Sequence, residues 1–163
     1  MANRGMALET VAYENKSILQ NLMELYQYDM SEYEDEFELN DYGLFGYRYI
    51  DHYWTEEGRH AYFVKVDGRL AGFVLLRELP QLADGTVCRS IAEFFILRHY
   101  RKSSIGRKTA KQVFSQFPGQ WSVCYLEKNT IARTFWTRVI QESAIGEVRN
   151  TTYLDMKCFE FQT

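Results

Sequence analysis

A chain of 163 residues lies in the size range of one domain and is long enough to bury a core without covalent staples. Its 46% hydrophobic and 16% aromatic content, with two prolines, excludes a disordered chain. With a formal charge of −3 and no long run of Lys or Arg, it lacks the electrostatic footprint of a nucleic-acid binder. No apolar stretch approaches the roughly 18 residues that span a bilayer, and the amino-terminal MANRGMALETVAYENK lacks the apolar region of a signal peptide, so the expected compartment is the cytoplasm, without a membrane partner.

In chain order, Ala7 to Tyr13 reads as a strand. From Asn15 the spacing of Ile18, Leu19, Leu22, Met23, Leu25 and Tyr26 predicts a helix, with Asn15 or Ser17 as its cap. Ser31 to Tyr42 mixes Glu32, Glu34, Asp35, Glu36, Glu38 and Asp41 with Tyr33, Phe37 and Tyr42 in no clear period, and reads as loop and short helix. Tyr62–Val66 and Leu70–Leu76, parted by Asp67-Gly68, predict a hairpin with a primed turn. Ser90 to Leu97 is the near-continuous apolar run of a strand covered on both faces. A basic turn, His99 to Ser104, leads into a helix with Gly106, Ala110, Val113, Phe114 and Phe117 on one face, which Pro118-Gly119 ends before a strand from Trp121 to Leu126. Asn129 caps a further helix striped by Ile131, Ala132, Phe135, Trp136, Val139 and Ile140, and two strand-like segments close the chain. The order describes a single α/β domain, residues 1–163, around one mixed sheet.

Cys88, Cys124 and Cys158 are odd in number, far apart and flanked by strand-like residues, so they are read as buried thiols with neither a disulfide nor a zinc site. His52, His60 and His99 show no metal-ligand spacing.

Chemistry concentrates at Glu93 to Gly106, where a buried strand runs through a basic turn into a helix. The first amides of a helix lack internal partners and its dipole adds positive charge, so such a junction cradles phosphate. Arg101, Lys102, Arg107 and Lys108 add to that field, and Gly106 lets a ligand approach the backbone or, equally, lets the helix pack closely. Four cations at a turn also suit a merely solvated surface.

The pattern Arg101-x-x-Ser104-x-Gly106 after a buried strand resembles the acyl-CoA pyrophosphate loop of the GNAT N-acetyltransferase superfamily, and Asn129-x-x-Ala132-x-x-Phe135-Trp136 is similar to its second cofactor helix. The resemblance implies a GNAT-like mixed central sheet of about six to seven strands flanked by helices, and transfer of an acetyl group from acetyl-CoA to an amine. It assigns Phe95 and Ile96 to the pantetheine arm, the backbone of Arg101, Lys102, Ser103, Ser104, Ile105 and Gly106, with Arg107 adjoining, to the pyrophosphate, and Asn129 to the pantetheine side. Two departures stand out: Ser104 replaces a usual glycine, though its hydroxyl suits a helix cap, and Trp136 replaces a tyrosine that often protonates the leaving thiolate, a task an indole N–H cannot perform at neutral pH.

On this reading a backbone N–H near Ile96 polarises the thioester oxygen. Glu93, a lone carboxylate in an apolar strand, is the candidate base, against the alternatives of a structural glutamate facing an arginine or the sheet edge and of a base acting through water. Tyr125 is the motif-linked candidate acid, one of 12 tyrosines. The acidic, aromatic stretch from Tyr26 to Trp54 suggests a cationic, small-molecule amine as acceptor, or else a solvated loop over an aromatic patch. Two other readings stay open: an acyl-CoA-binding or sensing module without turnover, and an interaction domain for a basic protein segment. A homodimer is compatible with all three.

Overall fold

The computed structural model describes residues 5–80 and 83–163, so the start of the amino-terminal segment read above lies outside the described residues. Seven strands form one mixed sheet: β1 (Met6–Thr10), β2 (Arg59–Val66), β3 (Arg69–Glu78), β4 (Cys88–Ile96), β5 (Gln120–Leu126), β6 (Arg149–Tyr153) and β7 (Met156–Gln162), in the order β1-β2-β3-β4-β5-β7-β6. Only β4 and β5 run parallel, joined by a helical crossover. The helices are α1 (Lys16–Met30), α2 (His52–Thr55), α3 (Ile105–Gln116) and α4 (Thr130–Ser143).

Local chemistry explains most of these elements. The β2–β3 turn has Asp67 at φ 49° and Gly68 at φ 77°, the left-handed pair that a primed turn demands. Asn129 caps α4, its side chain accepting from the Ala132 amide at 3.0 Å. Asn15 precedes α1 but makes no side-chain cap, because a 3-10 turn over Tyr13–Asn15 already leads the backbone into the helix. The first strand stops at Thr10 accordingly. Ser31 to Tyr42 forms no helix, and the short helix of this region lies later, at α2.

Alternation along the strands splits the core in two. Tyr62, Val64, Val74, Leu76, Ile91 and Val123 face α3 and α4, packing with Val113, Phe114, Trp136 and Ile140. Ala61, Phe63, Phe73, Leu75 and Phe95 face α1 and α2, meeting Leu19, Leu22, Met23 and Tyr53. The large aliphatic and phenylalanine side chains among these contribute about 1.5–3 kcal/mol each by leaving water, which is why β4, covered on both sides, reads from Ser90 as a near-continuous apolar run interrupted by Glu93.

The sheet opens at its centre. β4 pairs with β5 only from Cys88 to Ser90, opposite Gln120 to Ser122. Beyond that point β4 stays with β3 while β5 follows β7 to Leu126. The β3–β4 register shifts where Leu75 faces Glu93 and Leu76 faces Ile91, so Ala92 is an extra, bulged residue. A bulge increases local twist and re-aims side chains, and here it coincides with the parting of the strands.

The cysteine expectation is corrected. Cys124 and Cys158 stand opposite each other on β5 and β7, with Cα atoms 4.0 Å apart, and are disulfide-bonded; Cys88 is the free, buried cysteine among the described residues. Their separation of 34 in sequence hid a pairing that the antiparallel register creates. Among the described residues no helix is long and apolar enough to cross a membrane, and no cluster of His, Cys, Asp and Glu suits a metal ion.

Candidate active site at the parting of β4 and β5

The end of β4 turns through a 3-10 segment, Arg98–Tyr100, before α3 begins. Lys102 takes φ 58° to make the reversal. Ser103 Oγ donates to the Tyr100 carbonyl at 2.5 Å and stands 3.4 Å from the Ile105 amide. Ser104 occupies the cap position without a side-chain hydrogen bond, contrary to the cap its hydroxyl suggested. The first amides of α3 are thus left with no strong side-chain acceptor, the arrangement that favours an anion. The Ile105 side chain is buried and anchors the helix start.

The cations of this turn divide. Arg101 folds back: its Nε donates to the Ile96 carbonyl at 2.7 Å, its guanidinium lies over the Phe95 ring, and it pairs with Asp29 on α1. Because the Leu97 amide goes to Ala71 on β3, the Ile96 carbonyl points to the opposite edge, the one β5 has left. Arg98 joins Asp29 at 2.7 Å. Although partial burial acts the other way, the hydrogen bonds from Arg101 and Arg98 hold the Asp29 carboxyl below its usual range. Arg107 pairs with Glu142 at 2.6 Å, beside Lys111, and so ties α3 to α4. Lys102 is exposed and has no carboxylate partner among the described residues. Gly106 faces α4, where a Cβ would meet Phe135 at 3.2 Å, so its small size serves helix packing. The Asn129 side chain is taken up by its cap.

Glu93 sits on the α1 face of the bulge. The residue as a whole is half-buried, while its carboxyl is enclosed by protein on nearly all sides. Burial pushes its pKa from the ordinary 4.5 to about 7, against the hydrogen bonds of Tyr26 and Tyr47 and the charge of Arg77, which favour the ionised form. Tyr47 Oη donates to Glu93 Oε1 at 3.3 Å. Tyr26 is held between Phe73 and Phe95 by edge-on ring contacts of 5.7 and 5.8 Å. Burial, and then the charge of Glu93, pushes the phenols of Tyr26 and Tyr47 up, so both stay protonated donors. The Tyr53 hydroxyl is buried nearby, beside Tyr47, and burial pushes it up.

Glu93 and Tyr125 are not brought together. Tyr125 stacks on Phe159 at 5.5 Å on the α4 side of the sheet, lining a cavity of about 330 Å³ with Arg133, Thr137 and Val148, whereas Glu93 faces α1. Trp136 is buried against Phe94 at 5.1 Å and serves the core. Tyr26, Asp29 and Tyr47 fall within the acidic, aromatic stretch from Tyr26 to Trp54 that the sequence pointed to, but their individual partners, Glu93 for the two phenols and Arg98 and Arg101 for Asp29, were not readable from it.

Three comparisons set this geometry among known proteins. A model described as "Acetyltransferase (GNAT) family" matches residues 22–140. Comparison with curated proteins gives no match. Among solved structures, the chain is similar to an acetyltransferase from Thermus thermophilus, at 12% identity and TM-score 0.71, covering 97% of each chain. It is similar to an aminoglycoside acetyltransferase from an uncultured soil metagenomic sample, at 15% identity and TM-score 0.62, over 91% of this chain and 95% of that one. It is also similar to Arabidopsis thaliana NAA60 in complex with a bisubstrate analogue, at 13% identity and TM-score 0.59, over 96% of each. At these identities the structural likenesses speak for the fold alone.

Proposed function

Since this chain belongs to the GNAT acetyltransferase family, we propose that it forms one acetyltransferase domain, moving an acetyl group from acetyl-CoA to the primary amine of a small molecule by direct attack on the thioester. The observation that carries this reading is the parting of β4 from β5 after Ser90, which leaves the edge from Ile91 to Ile96 open between Glu93 and the start of α3. The open edge suits the amide-bearing pantetheine arm at Phe95 and Ile96. The amides from Arg101 to Gly106, with Lys102 beside them, suit the pyrophosphate. The thioester supplies the electrophilic carbonyl.

An ammonium group cannot attack a carbonyl, so the acceptor must lose a proton at the site. Glu93, with a pKa of about 7, accepts it as the neutral nitrogen is committed to the carbonyl carbon. A backbone N–H on the open edge near Ile96 stabilises the oxyanion. As the C–S bond breaks, the thiolate takes its proton from water or from the spent acceptor nitrogen, because Trp136 cannot give one and Tyr125 lies under α4. The acidic α1–α2 stretch attracts a cation, and the aminoglycoside acetyltransferase among the similar structures is in keeping with a small amine.

Thiol release from acetyl-CoA across a panel of primary amines tests the proposal. Amine-dependent release is expected. The buried Trp136 favours one second reading, an acyl-CoA-binding module, and tight acetyl-CoA binding without release in any amine would establish that reading instead.

A further inference from the structure

The segment between α1 and α2 has no regular structure, yet one peptide of it is firmly held. Both carboxylate oxygens of Glu24 on α1 accept backbone N–H groups, from Phe45 at 2.8 Å and from Gly46 at 2.9 Å. One turn further along α1, Gln27 Nε2 donates to the Gly46 carbonyl at 3.0 Å. Hydrogen bonds to an ionised acceptor are roughly twice as strong as neutral ones, so this peptide is held to α1 more firmly than neutral contacts would hold it, as Asp51 at the far end of the segment is held by Lys16. The next residue is Tyr47, whose hydroxyl donates to Glu93. An exposed loop is a poor platform for a phenol that must meet a carboxylate within a few tenths of an ångström, and the bonds from Glu24 and Gln27 remove that freedom.

We infer that Glu24 is a positioning residue of the acyl-transfer site: through the Phe45–Gly46 peptide it sets the Tyr47 hydroxyl against Glu93 and so fixes how readily Glu93 takes a proton. The consequence for catalysis rests on the reading of Glu93 as the proton acceptor. Four groups face that carboxyl from the elements around it: Tyr26 from α1, Tyr47 from the loop, Arg77 from β3, and Tyr53 from α2 beyond Tyr47. Tyr26 is fixed by Phe73 and Phe95, and Arg77 by the sheet, so neither needs Glu24. Of the four, Tyr47 is the one that directly follows the held peptide, its ring packing on Tyr49. A phenol that donates to a carboxylate favours its ionised form, and losing that donor raises the pH at which Glu93 gives up its proton.

The test is a carbon-13 NMR titration of the Glu93 carboxyl in the full chain, without substrates, for the wild type, Glu24→Ala, Tyr47→Phe and the double variant, beside the pH profile of kcat/KM for each. Each single change should move the Glu93 titration up by roughly half to one pH unit, the equivalent of one hydrogen bond. The double variant should show no more than the shift of Tyr47→Phe alone, because both changes remove one contact. An unshifted titration in folded Glu24→Ala, or a shift that adds in full to that of Tyr47→Phe, overturns the inference. If Glu24→Ala does not fold, Glu24→Gln, which keeps one acceptor oxygen, should give a smaller shift of the same sign, and no shift there overturns it equally. Titration shifts that leave the acidic limb of kcat/KM fixed uphold the positioning role and instead remove Glu93 from the reaction.

Discussion

Glu93 is one carboxylate in a strand that otherwise reads as core, and its surroundings turn that oddity into a chemical property. Its pKa of about 7 means that ionising it in the folded state costs energy that the unfolded chain, with the ordinary 4.5, is spared. A raised pKa contributes stability that is fully present below the unfolded value and is lost as pH rises through the folded one. Between pH 4.5 and 7 the loss is about 3 kcal/mol at most. Glu93→Gln should therefore gain thermal stability relative to the wild type at pH 8 while losing roughly 10²-fold or more in turnover and the acidic limb near pH 7. Near-normal turnover with that limb in place would leave Glu93 a structural residue. Lys102 offers the matching check on the donor side. Lys102→Asn keeps a residue that tolerates positive φ but removes the charge beside the α3 amides. In a calorimetric titration it should weaken acetyl-CoA binding by roughly fivefold to tenfold, and unchanged affinity would take the pyrophosphate away from this turn. Gly106 is the poorer probe, since any side chain there first meets Phe135.

At the level of elements, what could be read from the sequence is what repeats within a few residues. The stripe of α4, the Asp67-Gly68 turn and the apolar run of β4 each state their structure locally, and so do the strand-to-helix junction and the helix capped by Asn129 on which the proposed donor side rests. For the proposed acceptor side the sequence offered Glu93 and the stretch from Tyr26 to Trp54, but not which residues of that stretch meet the carboxyl. Tyr26, Tyr47 and Asp29 gain their roles only when α1 and its following loop are laid across β4, contacts made over separations of 46 residues for Tyr47 to Glu93 and 72 for Asp29 to Arg101. The Cys124–Cys158 bridge is the same kind of omission, because strand register is not written in cysteine spacing. It has its own test: the folded, oxidised protein should show one reactive thiol after denaturation without reductant and three after reduction. Reduction should also lower stability by about 2–4 kcal/mol, read as a shift of the denaturant midpoint. Three thiols in the unreduced protein would mean that the two cysteines are merely neighbours.

For the whole molecule, a net charge of −3 conceals a division of sign between the two sides of the proposed site. The donor side presents α3 amides and Lys102. On the other side the α1–α2 loop carries Glu32, Glu34, Glu36, Glu38 and Asp41, and part of it nears the β6–β7 turn. Burial, then Asp155 and Glu36, push the Glu34 carboxyl above its usual range, with Lys128 working against them. Carboxylates crowded in this way are relieved by an arriving ammonium group, which would join the loop to the turn. Exposed charges act over about 10 Å at 0.1 M salt and about 3 Å at 1 M. For a cationic acceptor, KM should therefore rise by roughly threefold or more between those conditions while kcat, set beside the enclosed Glu93, changes little. Glu34→Gln should flatten that dependence without moving the acidic limb of the rate profile, since it alters the approach of the amine and not its deprotonation. An acceptor whose KM is indifferent to salt, or falls with it, would mean that the acidic loop is only a solvated edge and that the amine enters by another route.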